Sequence, residues 1–269
     1  MKEKQLFSYS KINTFQNCRE LYYINYIQKI RKVNENIEAY LGSCVHKVIE
    51  YIYSESINNI NLDDIIFMYD KVWKDRWHDK IYIIDRSKKV SQYYNLGVEC
   101  LRIFYKRNIH SNAFFLKNTA ESEMNVEFNL DGINFRGIID RLDFNSEDNQ
   151  YIINDYKTSK RVISSKKSQR DLQLGLYLIA VHQKFKVDNP IVLKWHFLRY
   201  GVDVVAIPNN EDVQYIKNKL VKKAKTILDL SNERENFYPN ETILCNWCHY
   251  WDNCTAKISS NPAKRIRNQ

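Results

Sequence analysis

The chain has 269 residues, with 41 Lys and Arg against 32 Asp and Glu, for a formal net charge of +9. That length carries one sizeable core or a core with an inserted subdomain, and 19 Tyr, 12 Phe and 5 Trp set among the basic residues suit a polyanion whose bases can stack. The polar opening MKEKQLFSYSK and the lack of any apolar run long enough to span a bilayer exclude a secreted or membrane-spanning reading; in the cytoplasmic chain this implies, six cysteines read as thiols and metal ligands, not disulfides.

In chain order, SYSKINTFQNCRELYYINYIQKIRK predicts a helix capped by Ser10, with Ile12, Phe15, Leu21, Tyr22 and Tyr26 near helical spacing and Cys18 within it. YLGSCVHKVIEYIY predicts a second helix beginning at Gly42 and Ser43, whose His46 and Glu50 lie four apart on one side. A histidine placed there can offer a neutral nitrogen to a metal or serve as an ordinary packed side chain. Residues 57–111 then read as an inserted helical region, amphipathic and strongly charged.

A catalytic sheet is expected over 118–208. ESEMNVEFNLDGINFRG alternates around an Asp131-Gly132 turn, and RGIIDRLDFNSEDNQYIINDYKTSK follows as a hairpin. Pairing Phe144 with Tyr151 across its loop sets Leu142 opposite Ile153 and Asp140 opposite Asp155, with Lys157 on the same face. Two acids facing each other across a ladder repel, and a divalent cation removes the repulsion; a solvated Asp155–Lys157 ion pair is the plainer alternative. SQRDLQLGLYLIAVHQKF predicts a buried helix with Gln173 and Tyr177 one turn apart. Strands over IVLKWHFLRY and VDVVAIP and a long basic helix from about Asn210 to Arg234 complete an α/β pattern with a central mixed sheet flanked by helices.

Residues 242–256 hold Cys245, Cys248 and Cys254 within CNWCHYWDNC, and Cys18 is the candidate fourth ligand. Four thiolates fit either an iron-sulfur cluster or a structural zinc. Cys-x-x-Cys-His is also the form used for haem attachment, which would leave Cys254 unexplained. The C-terminal KRIRNQ reads as a disordered basic end, or else as added phosphate contacts.

Together SYSKINTFQNC, LGSCVHKVIE, GIIDRLD, NDYKTSK, QLGLY and the Cys-x2-Cys-x5-Cys group resemble the PD-(D/E)XK nuclease superfamily, in its RecB-like branch with an iron-sulfur cluster. Relatives of that branch include the CRISPR-associated exonuclease and the nuclease domains of AddAB-type helicase-nucleases. The resemblance implies a restriction-endonuclease-like core in a single nuclease domain. It makes Asp140 the central acid, Asp155 and Lys157 the (D/E)XK pair, His46 the histidine ahead of the core, and Gln173 and Tyr177 the strand-positioning helix pair. Glu123 fits the upstream glutamate better than Glu127. Cys18, Cys245, Cys248 and Cys254 become ligands of a [4Fe-4S] cluster. Mg2+ or Mn2+ would be held by His46, Asp140, Asp155 and the Tyr156 carbonyl, to hydrolyse phosphodiester bonds of single-stranded DNA or DNA ends in CRISPR, recombination or repair. A retired nuclease frame that only binds nucleic acid, or a zinc-stabilised interaction module, are the competing readings.

Overall fold

A computed structural model of the chain describes residues 5–30, 34–55, 60–85, 87–110, 119–187, 189–251 and 254–258; the basic C-terminal stretch lies outside them. β1 (Leu6–Phe7) leads into α1 (Tyr9–Asn17), α2 (Arg19–Tyr22) and a wide turn over Tyr23–Ile27. Ser8, not Ser10, caps α1: its hydroxyl accepts from the Lys11 N–H at 3.1 Å, while Ser10 is already helical. The expected single helix also breaks at Cys18, whose extended backbone (φ −160°, ψ 114°) separates α1 from α2. Hydrophobic spacing persists across the break and conceals it.

β2 (Glu35–Asn36) precedes α3 (Ile37–Ser54), which starts five residues before Gly42 because the Asn36 side chain caps it. α4 (Leu62–Arg76), β3 (Ile81–Tyr82) and α5 (Val90–Phe104) follow. α3, α4 and α5 bury Val45, Ile52, Ile65, Tyr69 and Leu101 against one another. A side chain on Gly97 would collide with the Tyr69 hydroxyl, so Gly97 is what lets α5 approach α4 this closely.

The sheet is built around β5 (Ile133–Asn145). β4 (Thr119–Leu130) runs antiparallel along it, joined by a turn in which Asp131 and Gly132 both have positive φ, 50° and 81°, as a two-residue hairpin requires. On the opposite edge β1 pairs parallel at Leu6–Asn134 and Phe7–Phe135, and β6 (Gln150–Lys157) pairs antiparallel farther along. α6 (Ser165–Ser168) and α7 (Leu172–Phe185) cross over to β7 (Val192–Phe197), parallel to β6, and β8 (Val202–Ala206) returns antiparallel before α8 (Asn210–Leu230). A parallel neighbour needs such a crossover.

α1, α7 and α8 cover one face of the sheet with Ile12, Phe15, Leu176, Ile179, Ile216 and Leu220. The helical layer meets the other face through Tyr156 and Leu198, and through a polar chain. Arg141 donates to the hydroxyls of Tyr53 on α3 and Tyr156 on β6, and to Asp143 Oδ2 at 2.9 Å. Asn154 donates to the same carboxylate at 3.0 Å, and His196 bridges Asn154 and Asp203 at 2.9 and 3.0 Å. Buried polar groups need partners of this kind.

Candidate active site

The β5–β6 ladder runs from Asn145–Gln150 through Phe144–Tyr151 and Leu142–Ile153 to Arg141–Asn154. One step on, the Tyr156 N–H donates to Asp140 Oδ2 at 2.9 Å. The carboxylate thus takes the place of a strand partner where the two strands part. On the other edge of β5 the pairing goes from Met124–Ile139 to Ser122–Arg141, and the residue between, Glu123, has a φ of 48°. Few non-glycine residues adopt that left-handed conformation. Side-chain alternation breaks here as well: Ile139 packs into the α7-side core, whereas Arg141 reaches Tyr53 in the helical layer.

The break gathers acids. Ligand atoms of His46, Glu123 and Asp140 lie within 4.8 Å of one another, the one such group of three among the described residues. Burial pushes the Glu123 carboxyl up, and Asp140 and Glu50 add to the shift. His46, on the inner side of α3, places Nε2 2.7 Å from the Tyr156 carbonyl oxygen and Nδ1 3.5 Å from Asp140 Oδ2. A carbonyl only accepts, so Nε2 carries a hydrogen. In the neutral ring Nδ1 then turns a lone pair toward a carboxylate, an arrangement that a cation between them relieves. This donor set of one nitrogen and carboxylate oxygens suits a hard divalent ion such as magnesium or manganese.

Asp155 is 2% exposed and faces α7. Its carboxylate receives Lys157 Nζ at 2.7 and 2.9 Å and Gln173 Nε2 at 3.3 Å. Burial drives the Asp155 carboxyl upward against the pull of Lys157, with Asp140 adding to the rise; the two aspartates therefore feel each other although Asp155 stands outside the close trio. Burial disfavours the Lys157 charge, but Asp155, Asp140 and Asp171 outweigh it and hold the ammonium above its ordinary value.

Gln173 links the parts. Its Oε1 accepts from Lys157 at 3.3 Å and its Nε2 reaches the Tyr177 hydroxyl at 3.5 Å. Asp171 caps α7 through the N–H groups of Gln173 and Leu174, at 3.0 and 2.9 Å, and so sets the helix start that aims Gln173.

Sequence reasoning left three contributors without a role. Tyr9 at the start of α1 is placed among Asp171, Lys157 and Asp155, and burial first and Asp171 second hold its hydroxyl above the usual phenol range. Arg136 and Ser8 line, with Tyr9, Gln173 and Tyr177, a cavity of about 460 Å³ alongside. The SYS segment ahead of an apolar run was the available signal, and nothing local ties it to a strand 150 residues later. Glu127, the other candidate glutamate, is exposed and pairs with Arg136 on β4–β5, away from the trio.

Cys18, Cys245, Cys248 and Cys254, drawn from both ends of the chain, lie near enough to influence one another electrostatically, but among the described residues no three of their sulfurs fall within 4.8 Å of one another. Burial pushes the Cys248 thiol up to about 11, and Cys18, Cys245 and Cys254 add to it. Cys254 responds to burial, Cys18 and Cys245 in the same direction. The surrounding chain is tied independently: Arg234 pairs with Glu20 at 2.9 Å, and Asn240 donates to the Asn17 carbonyl at 3.1 Å. Cys44 and Cys100 are buried in the helical layer, as inert packing.

The PD-(D/E)XK nuclease superfamily profile matches residues 6–255. The chain belongs to that superfamily, whose members are phosphodiester hydrolases acting on nucleic acid. Its fold is similar to that of a candidate exonuclease from Eubacterium rectale, with a TM-score of 0.55 over 95% of this chain and 93% of that one at 11% identity. The protein SSO0001 is less alike, with a TM-score of 0.36 and 15% identity over 82% of this chain and 96% of that one, a likeness too remote to bear on the fold. No curated protein matches the chain significantly. No helix among the described residues is long and apolar enough to cross a membrane.

Proposed function

We propose that the chain is a metal-dependent DNA nuclease of the RecB-like branch, an exonuclease acting on single strands or free ends. The observation that carries the reading is the split between β5 and β6, which sets the His46, Glu123 and Asp140 trio beside the Asp155–Lys157 pair. A divalent cation, when bound there, supplies a more acidic water and a polarised phosphodiester. His46, Glu123 and Asp140 would hold it, with Asp155 adding negative charge behind them and the Tyr156 carbonyl kept in line by His46. Lys157 Nζ offsets the charge that grows on the phosphate oxygens as the bond breaks, and Gln173 fixes its direction. The cavity walled by Tyr9, Arg136 and Tyr177 admits an unpaired strand whose bases can stack.

Cys18, Cys245, Cys248 and Cys254 are proposed to bind a [4Fe-4S] cluster that fastens α1 to the C-terminal segment. A brown protein absorbing near ~400 nm, where thiolate-bound iron absorbs, supports this, and a colourless zinc-loaded one refutes it. The nuclease reading is tested by digesting end-labelled linear and internally labelled circular DNA, single- and double-stranded, with magnesium, manganese or chelator. Metal-dependent loss of linear single strands is expected. Undiminished cleavage in chelator, or no cleavage of any of the four substrates, would overturn it.

A further inference from the structure

A second cavity, of about 520 Å³, opens between α1, α8 and the segment that follows α8. Its wall holds Arg19, Lys219, Lys222 and Lys223 and no acidic residue. Among the described residues none of the three lysines forms an ion pair, unlike Lys47, Lys74 and Lys88 elsewhere. Burial and the neighbouring Lys219 hold the Lys223 ammonium below its ordinary value. Four cations bordering one concavity with no acidic residue in its wall, Lys219 with its Nζ 5.4 Å from the centre of the Tyr215 ring, leave a site that an anion would complete.

The aromatic groups narrow the choice of anion. The Arg19 guanidinium lies between two rings, 5.2 Å from the centre of Phe15 and 5.0 Å from that of Tyr238. Phe15 is buried, whereas Tyr238 is 52% exposed and offers ring surface to the solvent side of the cavity. A flat cation braced against an exposed ring, beside a row of lysines, suits a phosphate that carries a base.

α1 connects this cavity to the site already described. Its start, Ser8 and Tyr9, lines the concavity that holds Gln173 and Tyr177, and its end, Phe15 and Gln16, lines the basic one. At 1.5 Å per residue α1 is about 13 Å long, a separation that a few nucleotides cover.

We infer that the α1–α8 cavity is a second contact for a single nucleic-acid strand, where Arg19, Lys219, Lys222 and Lys223 grip backbone phosphates and Tyr238 stacks a base beyond the cleavage site. The inference rests on the nuclease reading. Neither lysine substitution below touches the acidic site, so cleavage chemistry and strand grip can be separated.

The experiment compares the full-length protein with Lys219→Ala/Lys222→Ala and with Tyr238→Ala. A charge-matched control, Lys71→Ala/Lys80→Ala, removes two exposed lysines from the helical layer. Binding of a labelled 20-nucleotide single strand is followed by anisotropy in chelator across a salt series, and cleavage of that strand and of a trinucleotide is measured in manganese. The lysine pair should weaken long-strand binding about tenfold or more and reduce the salt slope by roughly 1 to 2, as expected for two lost phosphate contacts. Tyr238→Ala should weaken it about fivefold or more, in keeping with ~1–3 kcal/mol per stacked base. Trinucleotide cleavage should stay within twofold, and the control should bind as the parent does. Equal weakening by the control, unchanged binding in both cavity variants, or equal loss of trinucleotide cleavage would each overturn the inference while leaving the nuclease reading intact. Competition by a free nucleoside triphosphate that is lost in the variants, with strand binding unaffected, would reassign the cavity to a nucleotide and overturn the strand. A parent protein that neither binds nor cuts either substrate would remove the nuclease reading, and the strand contact with it.

Discussion

Tyr177 occupies the space that a side chain at position 137 would fill: a Cβ on Gly137 would lie 2.4 Å from Tyr177 Cε1. The strand that carries Asp140 and the helix that carries Gln173 touch at this one residue without a side chain. Gly137→Ala should therefore cost about 1–3 kcal/mol through overpacking and displace Tyr177, lowering cleavage as well. Chemical denaturation checks the first effect. Adding Tyr177→Leu should recover part of the lost stability, and strictly additive losses would show that the contact is not the cause.

Lys157 has two neighbours that hold it, Asp155 and Gln173, and no acceptor of its own. Replacing it with Met keeps the stem and removes the charge. Cleavage should fall on the order of 10²–10³-fold, the scale of losing one aimed donor, with strand binding in chelator changed far less. Asp155→Ala should abolish cleavage also, with the fold retained by circular dichroism. Full activity in either variant would remove the site assignment.

The raised Glu123 carboxyl makes a signed prediction. A carboxylate whose folded value exceeds its unfolded one contributes stability below the unfolded value, near ~4.3, and loses it as pH rises through the folded value. Glu123→Gln should therefore melt higher than the parent at pH 7.5 without metal, and the gap should close as pH falls toward ~4.3. Manganese should reverse the order at pH 7.5, because the parent regains a ligand that glutamine supplies poorly. Thermal melts at the two pH values, with manganese or chelator, provide the check.

The Cys248 thiol is pushed upward by burial first and by Cys18, Cys245 and Cys254 as well. Cys248→Ala should lower iron content, solubility and melting temperature together, since ligands that close a centre between chain ends contribute to folding itself. Full iron with an unchanged melting temperature would sink the proposed cluster.

Much of this geometry was legible because a strand has one period. Fixing Phe144 against Tyr151 fixes Leu142 against Ile153 with no information beyond alternation and a loop, but the ladder ends at Arg141–Asn154, so the expected Asp140–Asp155 pair does not form and Asp140 accepts from the Tyr156 N–H instead. The break at Asp140 was not legible, since a left-handed Glu123 has no compositional mark of the kind that Gly132 supplies. For the same reason Glu123 emerged only through family resemblance. The capping error at α1 has a local origin: Ser8 and Ser10 are equally good caps, and pairing of Leu6 and Phe7 with β5 decides between them. The chain from Arg141 to Asp203 left no trace in periodicity because its members come from five segments and meet only after folding.

That polar chain bears on how the two halves of the molecule can move. Oily surfaces in contact slide at little cost, whereas each link here is directional and weakens within a fraction of an ångström or a few tens of degrees. Tyr53 anchors the row to the same helix that carries His46. Shear of the helical layer along the sheet would thus have to break the Tyr53 link before His46 drifted far from Asp140, so the same directional row that joins the layers also holds that histidine against that acid.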